Sequence, residues 1–264
     1  ADTDNNVIRK IPPAGNVRPL AGSPRAGYGD GIGTFASFAG PRAITVGADR
    51  NIYVTDSLNH AIRKITPTGS VSTLAGSPIL GSADGAGAAA SFQYPGALAA
   101  DAAGYVYVAD TNKHKIRKIS PAGDVTTLAG SGALGFADGV GAAAAFGYPA
   151  GIAVDANGNV YIGDTSNNRI RKITPSGEVS TLAGTGIASS TDGDGAVATF
   201  YFPSGLALDG VGALYVAESV VGKIRKLTPD GKVKTLAGSG VLGAADGIGT
   251  AATFLSPSGI DVNP

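Results

Sequence analysis

The 264-residue chain contains no cysteine, no methionine and no tryptophan, and only 6% of it is aromatic. Without cysteine there are no disulfides and no thiolate metal sites, and an extracellular or periplasmic setting, where stray thiols are a liability, fits that absence. Charge is sparse and balanced: twenty basic residues face twenty acidic ones, for a net charge of zero. That removes the strong positive field expected of a nucleic-acid binder. No apolar run approaches the ~18 residues of a membrane-spanning helix. There is no initiator methionine, and Ala1-Asp2-Thr3 opens in mid-repeat, as expected of a processed product or a fragment whose signal peptide has gone. Glycine is what the chain has most of, 41 residues, about twice the usual share. Short strands and many turns are the expectation, in a chain long enough to bury a substantial core.

The ordering feature is a repeat of 54 residues. Asp2, Asp56, Asp110, Asp164 and Glu218 fall on that spacing, and so do Arg9, Arg63, Arg117, Arg171 and Arg225. Phe38, Phe92, Phe146, Phe200 and Phe254 follow it, as do Pro41, Pro95, Pro149, Pro203 and Pro257. A fixed period of this size means a solenoid, a propeller or an array. Within one repeat, Gly151 to Val154 reads as a small-residue strand and Asp155-Ala156-Asn157-Gly158 as a tight turn. Asn159 to Ile162 is a second strand, rich in β-branched and aromatic residues. After the polar loop Asp164 to Asn168, Arg169 to Ile173 makes a third strand and Glu178 to Leu182 a fourth, separated by Pro175-Ser176-Gly177. The result is an antiparallel four-stranded meander. Repeated around an axis, such sheets are the blades of a β-propeller, so the expectation is an all-β propeller of four-stranded antiparallel blades, a single domain over residues 1–264. The long connections, such as Gly130 to Tyr148, carry an Ala-rich stretch with room for one or two helical turns.

The run Asp164-Thr165-Ser166-Asn167-Asn168-Arg169-Ile170-Arg171-Lys172-Ile173, preceded by Gly158-Asn159-Val160-Tyr161-Ile162 and followed by Ser180-Thr181-Leu182-Ala183-Gly184, resembles NHL-repeat propellers. The resemblance covers the whole chain in five copies and implies the fold. It does not select a function, since the family includes RNA binders, protein-interaction modules, receptor-kinase sensor domains and a peptide-amidating lyase.

The chain is six residues short of five full periods, and the absent positions correspond to Asp49 through Val54, the second strand of a blade. In the closing blade, Val7 and Ile8 on one side and Ile260 and Val262 on the other are therefore expected to present strand-acceptor edges. Unpaired edges are templates for another strand, from a longer parent chain or from a partner.

Most residues that carry chemistry also have a structural reading. The repeated acidic residue and arginine suit an in-blade ion pair, Asp164 with Arg171 and its equivalents. The Asp-Gly-x-Gly runs at Asp30, Asp84, Asp138, Asp192 and Asp246 suggest calcium, with Asp192 and Asp194 the best candidates, but one or two carboxylates are thin for an ion that needs six to eight oxygens. The favoured alternative is that each Asp caps the short Ala-rich helix. His60 and His114 stand where other repeats carry Asn6, Asn168 and Gly222, so they read as loop residues replacing Asn rather than as the convergent ligands a zinc-dependent lyase needs. There is no nucleophile elbow, no cysteine and no histidine placed as a base beside a nucleophile, so the chain is expected to be non-enzymatic and to need no cofactor.

Binding is expected at the end of the propeller that carries the long connections and the polar loops. Positions that break the repeat there are the candidates: Tyr94, Tyr148, Tyr201 and Phe202 form an aromatic arc, with Arg42 on an adjoining blade. Val220 and Val221, in place of the usual polar loop, suit a protein contact. The expected role is an extracytoplasmic binding or assembly scaffold for a protein partner or a second copy, with strand complementation one route. A metal-dependent lyase or lactonase with a central-channel site is the alternative, and a single-stranded RNA or glycan binder a further one.

Overall fold

A computed structural model of the chain describes residues 1–262. Its regular structure is all β, apart from single-turn 3-10 segments. Two compact units divide it, Ala1–Thr127 and Leu128–Pro264. The first sheet is a two-stranded hairpin, β1 (Ile8–Lys10) with β2 (Arg18–Ala21). The second contains β3 (Gly31–Ile32), β4 (Pro41–Val46), β5 (Ile52–Asp56), β6 (Ala61–Ile65) and β7 (Ser70–Gly76). The third contains β8 (Gly85–Ala86), β9 (Ala97–Ala100), β10 (Val106–Asp110), β11 (Lys115–Ile119) and β12 (Asp124–Ala129). The fourth is β13 (Gly139–Val140), β14 (Pro149–Val154), β15 (Val160–Asp164), β16 (Arg169–Ile173) and β17 (Glu178–Ala183). The fifth is β18 (Gly193–Asp194), β19 (Pro203–Leu208), β20 (Leu214–Glu218), β21 (Lys223–Leu227) and β22 (Lys232–Ala237).

Each of the four large sheets contains the expected antiparallel meander of a propeller blade, and each has one strand more than the sequence suggests. The Asp-Gly-x segment of the preceding connection adds a two-residue strand beside the fourth, giving orders such as β13-β17-β16-β15-β14. The Ala-rich stretches make only one 3-10 turn, for example Gly141–Ala143, whose start has no side-chain cap. The expected helix caps therefore do not form, and the Asp residues serve elsewhere.

Alternation decides the burial. In β15 the side chains of Val160 and Ile162 enter the core while Tyr161 is only partly covered. The Asp155–Asn159 turn closes through Gly158 N–H to the Asp155 carbonyl at 3.0 Å, with Gly158 at φ 78°, a left-handed position that glycine adopts without steric cost. The buried phenylalanines anchor separate cores. Phe38 packs with Ile8, Val54 and Ile65, and Phe92 with Ile62, Val108 and Ile119, both in the first unit. Phe200 packs with Ile170, Leu206 and Val216 in the second.

The predicted edges differ from one another. Val7 and Ile8 are buried, and β1 hydrogen-bonds in its sheet only to β2. Ile260 and Val262 are half-buried and belong to no strand among the described residues. Yet Ile260 takes up an inner-strand position: its Cγ2 would lie 3.4 Å from a Cβ placed on Gly205 of β19.

Candidate functional site

The repeated arginine organises each large blade. Arg171 is fully buried, and its Nη1 donates to Asp164 Oδ2 at 2.7 Å and to the Ala145 carbonyl at 3.2 Å. Its Nη2 donates to Asp138 Oδ1 at 2.5 Å and to the Ala137 carbonyl. Arg63, Arg117 and Arg225 repeat the arrangement with Asp56 and Asp30, Asp110 and Asp84, and Glu218 and Asp192. The in-blade ion pair read from the repeat is therefore present in all four large blades. One guanidinium ties the third strand, the end of the second and the long connection together. It also stacks on the core phenylalanine, with the carbon of Arg171 5.2 Å from the Phe146 centroid. Only Nε lacks a hydrogen-bond partner in these four arginines. The cost of burying the charge is offset by the fork of donors finding two carboxylates and two carbonyls.

The acidic residues of the Asp-Gly runs are thus the second partner of the arginine, and they also hold the fourth strand: Asp84 accepts from the Thr127 amide and hydroxyl at 3.0 and 2.9 Å. Asp192 is occupied in this way by Arg225 and by Thr235. Asp194 is exposed, and its backbone carbonyl caps the Val197 and Ala198 amides. Both border a shallow groove of about 420 Å³ that also contains Lys232 and Lys234, a lining unsuited to a cation. Among the described residues no three His, Cys, Asp or Glu side chains converge as a metal site would require.

At the other end of the ion pair, the second-to-third loop, the start of the first strand and the end of the fourth lie together, because Asp56 pairs with both Ala61 and Pro41 and Ala61 pairs with Gly76. Here the aromatic candidates share a feature that the sequence does not display. Tyr94, Tyr148 and Phe202 all have left-handed backbones, at φ 51°, 47° and 53°, where Gly40 and Ser256 stand in the other repeats. A bulky residue in that region carries strain, and strained positions cluster at functional sites. The strain is held by the neighbouring repeat. Asn168 Oδ1 accepts the Phe202 N–H at 3.1 Å, Asn6 Oδ1 accepts that of Gly40 at 2.9 Å, and His60 Nδ1 accepts that of Tyr94 at 3.3 Å. His60 therefore does an asparagine's work, as its place in the repeat suggests, and burial pulls its pKa down.

Tyr94 is 39% exposed, and Tyr148 and Phe202 are exposed to a similar degree. Tyr201 is half-buried, meets Phe202 edge-on at 5.6 Å, and gives its N–H to Glu218. Val220 is exposed and Val221 half-buried. Arg42 projects from the exposed face of β4. Sequence reasoning passed over the tips of the long connections, where Ile79, Leu80, Leu134, Ile187, Val241 and Leu242 are exposed. Their signal was available: an apolar pair recurs in loops otherwise made of Gly, Ser and Pro. In the second unit Leu242 lies beside Gly222, next to Val220 and Val221. The chemistry on offer is apolar and aromatic contact from rigidly supported loops.

A sequence profile described as the NHL repeat matches residues 146–173. Of curated proteins, Protein SUPPRESSOR OF QUENCHING 1, chloroplastic, from Arabidopsis thaliana is 39% identical over 149 residues, 52% of this chain and 14% of that protein. NHL repeat-containing protein 2 from Bos taurus is 35% identical over 129 residues, 44% of this chain and 18% of that protein. The chain thus spans less than a fifth of the length of either relative. Among solved structures, a nidogen/laminin complex aligns over 99% of this chain and 80% of the other, with a TM-score of 0.67 at 15% identity. Virginiamycin B lyase from Staphylococcus aureus aligns over 89% of this chain and 64% of its own, with a TM-score of 0.59 at 20% identity. Those identities speak to the β-propeller fold alone. The repeat match, the relatives named for NHL repeats and the blade architecture agree: the chain carries an NHL repeat at residues 146–173 within a β-propeller fold.

Proposed function

We propose that this propeller is a non-catalytic, extracytoplasmic scaffold whose loop-bearing blade ends bind a protein partner. The observation that carries the reading is the set of exposed aromatics Tyr94, Tyr148 and Phe202 at left-handed positions. An aromatic at such a site loses local stability relative to glycine, and contact with a partner is what it offers in return. The apolar loop tips enlarge the contact area. Supporting this reading, one chain of matching fold comes from a nidogen/laminin complex, a protein–protein assembly. The absence of cysteine suits an extracytoplasmic setting. Strand complementation is a second mode, favoured by the segment around Ile260 and Val262, which packs on β19 without joining a ladder.

The test is capture of extracellular proteins by the immobilised chain, compared with a Tyr94→Ser, Tyr148→Ser, Phe202→Ser variant that keeps its melting temperature. A partner held by the parent and lost by the variant supports the reading, and equal capture overturns it. One zinc or magnesium ion per purified chain would favour the metal-dependent lyase or lactonase instead. Salt-dependent retention on heparin would favour RNA.

A further inference from the structure

In three repeats an amide from the second-to-third loop donates to the repeated acid: Asn5 to Asp2 at 2.9 Å, Asn59 to Asp56 at 2.8 Å and Asn167 to Asp164 at 2.9 Å. Asn59 and Asn167 also donate to a carbonyl of the long connection, Gly27 at 2.7 Å and Gly135 at 2.8 Å, so the amide ties loop to connection. The blade of Glu218, in the second unit, departs from this pattern. Val221 stands at the amide's position, and its side chain has nothing to donate. The donor comes from elsewhere. Ser190, in the long connection, gives its hydroxyl to Glu218 Oε2 at 2.6 Å and accepts from Arg225 Nη1 at 2.9 Å. The repeated acid is glutamate in this blade alone, and its extra methylene extends the carboxylate toward the connection. Ser82 holds the same repeat position in the blade of Asp110, one methylene shorter, and there it is bound by Lys115 Nζ at 2.8 Å. Val221, Glu218 and Ser190 are therefore one coupled change. The buried carboxylate draws its donors from Ser190, Tyr201 and Arg225 rather than from the loop.

The loop itself differs as a result. Ser57–Asn59, Thr111–Lys113 and Thr165–Asn167 are single 3-10 turns, whereas residues 219–222 form a turn without that winding. Val220 is 41% exposed and Val221 half-buried, and Leu242, 50% exposed, lies 3.3 Å from where a Cβ on Gly222 would stand. Tyr201 gives its N–H to the same Glu218, which sets the exposed Phe202 beside this loop. The charges at its base, Glu218 and Arg225, are fully buried and paired, and Lys223 is tied to the Ser190 carbonyl at 3.2 Å. What the loop presents is apolar, and a charged side chain seated on it would be desolvated without a partner. A local rule that is broken and compensated elsewhere marks a position kept for function.

We propose that Ser190, acting through Glu218, is a positioning residue that frees the 219–222 loop from holding the blade together, and that Val220, Val221 and Leu242 seat an uncharged, apolar side chain of the protein partner. This inference rests on the protein-binding reading above and narrows it to one loop and one chemistry of anchor.

The positioning role is tested without a partner. Ser190→Ala should lower the melting temperature by taking a donor from the buried Glu218. Glu218→Asp with Val221→Asn in that background rebuilds the Asp–Asn pair of the other blades and should recover most of the loss. No recovery overturns the coupled change. The docking role is tested with random linear peptides displayed on phage and selected on the immobilised parent chain. They should converge on uncharged sequences with an aliphatic or aromatic anchor. The selected peptides should bind Val221→Asn and Leu242→Ser, each checked to keep the parent's melting temperature, about tenfold more weakly, the size of one anchor contact. A charged consensus, equal binding to the variants, or no enrichment overturns the proposal. Protein capture that is lost by the Tyr94→Ser, Tyr148→Ser, Phe202→Ser variant but kept by Val221→Asn leaves the protein-binding reading standing and removes this one.

Discussion

His60 accepts the backbone N–H of Tyr94 through Nδ1 at 3.3 Å, and its ring meets the tyrosine edge-on with centroids 4.7 Å apart. An acceptor role requires the neutral imidazole, and protonation would turn the acceptor into a donor facing another donor. Burial holds the folded pKa below the ordinary value of about 6.5. The contribution to stability is therefore full above pH ~6.5 and is lost as pH falls through the lowered folded value. Thermal melts between neutral and mildly acidic pH should show this decline, and His60→Asn, which restores the residue found at Asn6 and Asn168, should flatten it. His60→Ala should cost about 1 kcal/mol at neutral pH by leaving the Tyr94 amide without its acceptor.

Tyr94→Gly separates strain from packing. Glycine already occupies this position in another repeat, at Gly40, with φ 56°. Removing Cβ relieves about 1 kcal/mol of left-handed strain and forfeits a half-exposed aromatic contact of similar size. Denaturant unfolding should therefore change by no more than about 1 kcal/mol. A loss of several kcal/mol would mean that the aromatics are there for the fold.

Arg117→Leu should be among the most damaging single changes. It strands the fully buried Asp110 carboxylate and removes the tie to Asp84. Breaking one side of a buried pair costs about 3–5 kcal/mol. Asp84→Asn, at a half-exposed carboxylate that is the arginine's second partner and whose amide replacement still offers an oxygen to Thr127, should cost about 1 kcal/mol or less. Equal losses for the two variants in urea unfolding would refute this ranking.

Asp110 differs from its equivalents for a local reason. Asn59 donates to Asp56 at 2.8 Å and Asn167 to Asp164 at 2.9 Å, but the third blade carries Lys113 at that position. Burial pushes the Asp110 carboxyl up to about 6, with the Gln93 amide and Arg117 opposing it. The folded value lies above the unfolded one, so this group's contribution is present below pH ~4 and lost as pH rises through about 6. Lys113→Asn supplies the missing donor and should lower the apparent pKa of Asp110, read by carboxyl NMR titration. An unchanged titration would show that the amide donor is not what separates the three carboxylates.

Much of the architecture was legible because the repeat makes local signals agree five times over. The β-branched second strand, the Asp-Ala-Asn-Gly turn and the Asp–Arg spacing each read correctly from neighbours on the chain. Asp138 was read as a helix cap because its real partner, Arg171, lies 33 residues away, beyond any local rule. The left-handed backbone of Tyr94 was foreshadowed only by Gly40 in the same repeat position.

The sequence by itself determined the blade: strand order, turn chemistry and the buried ion pair follow from residue types at fixed spacing, because hydrogen-bond ladders and alternation are short-range constraints. Only the tertiary structure decided which equivalent residues are equivalent in fact. Ile44, Leu98, Ile152 and Leu206 look alike in sequence, yet one of the four is exposed. Burial depends on what stands across the sheet face, and no pattern within a strand encodes its neighbour.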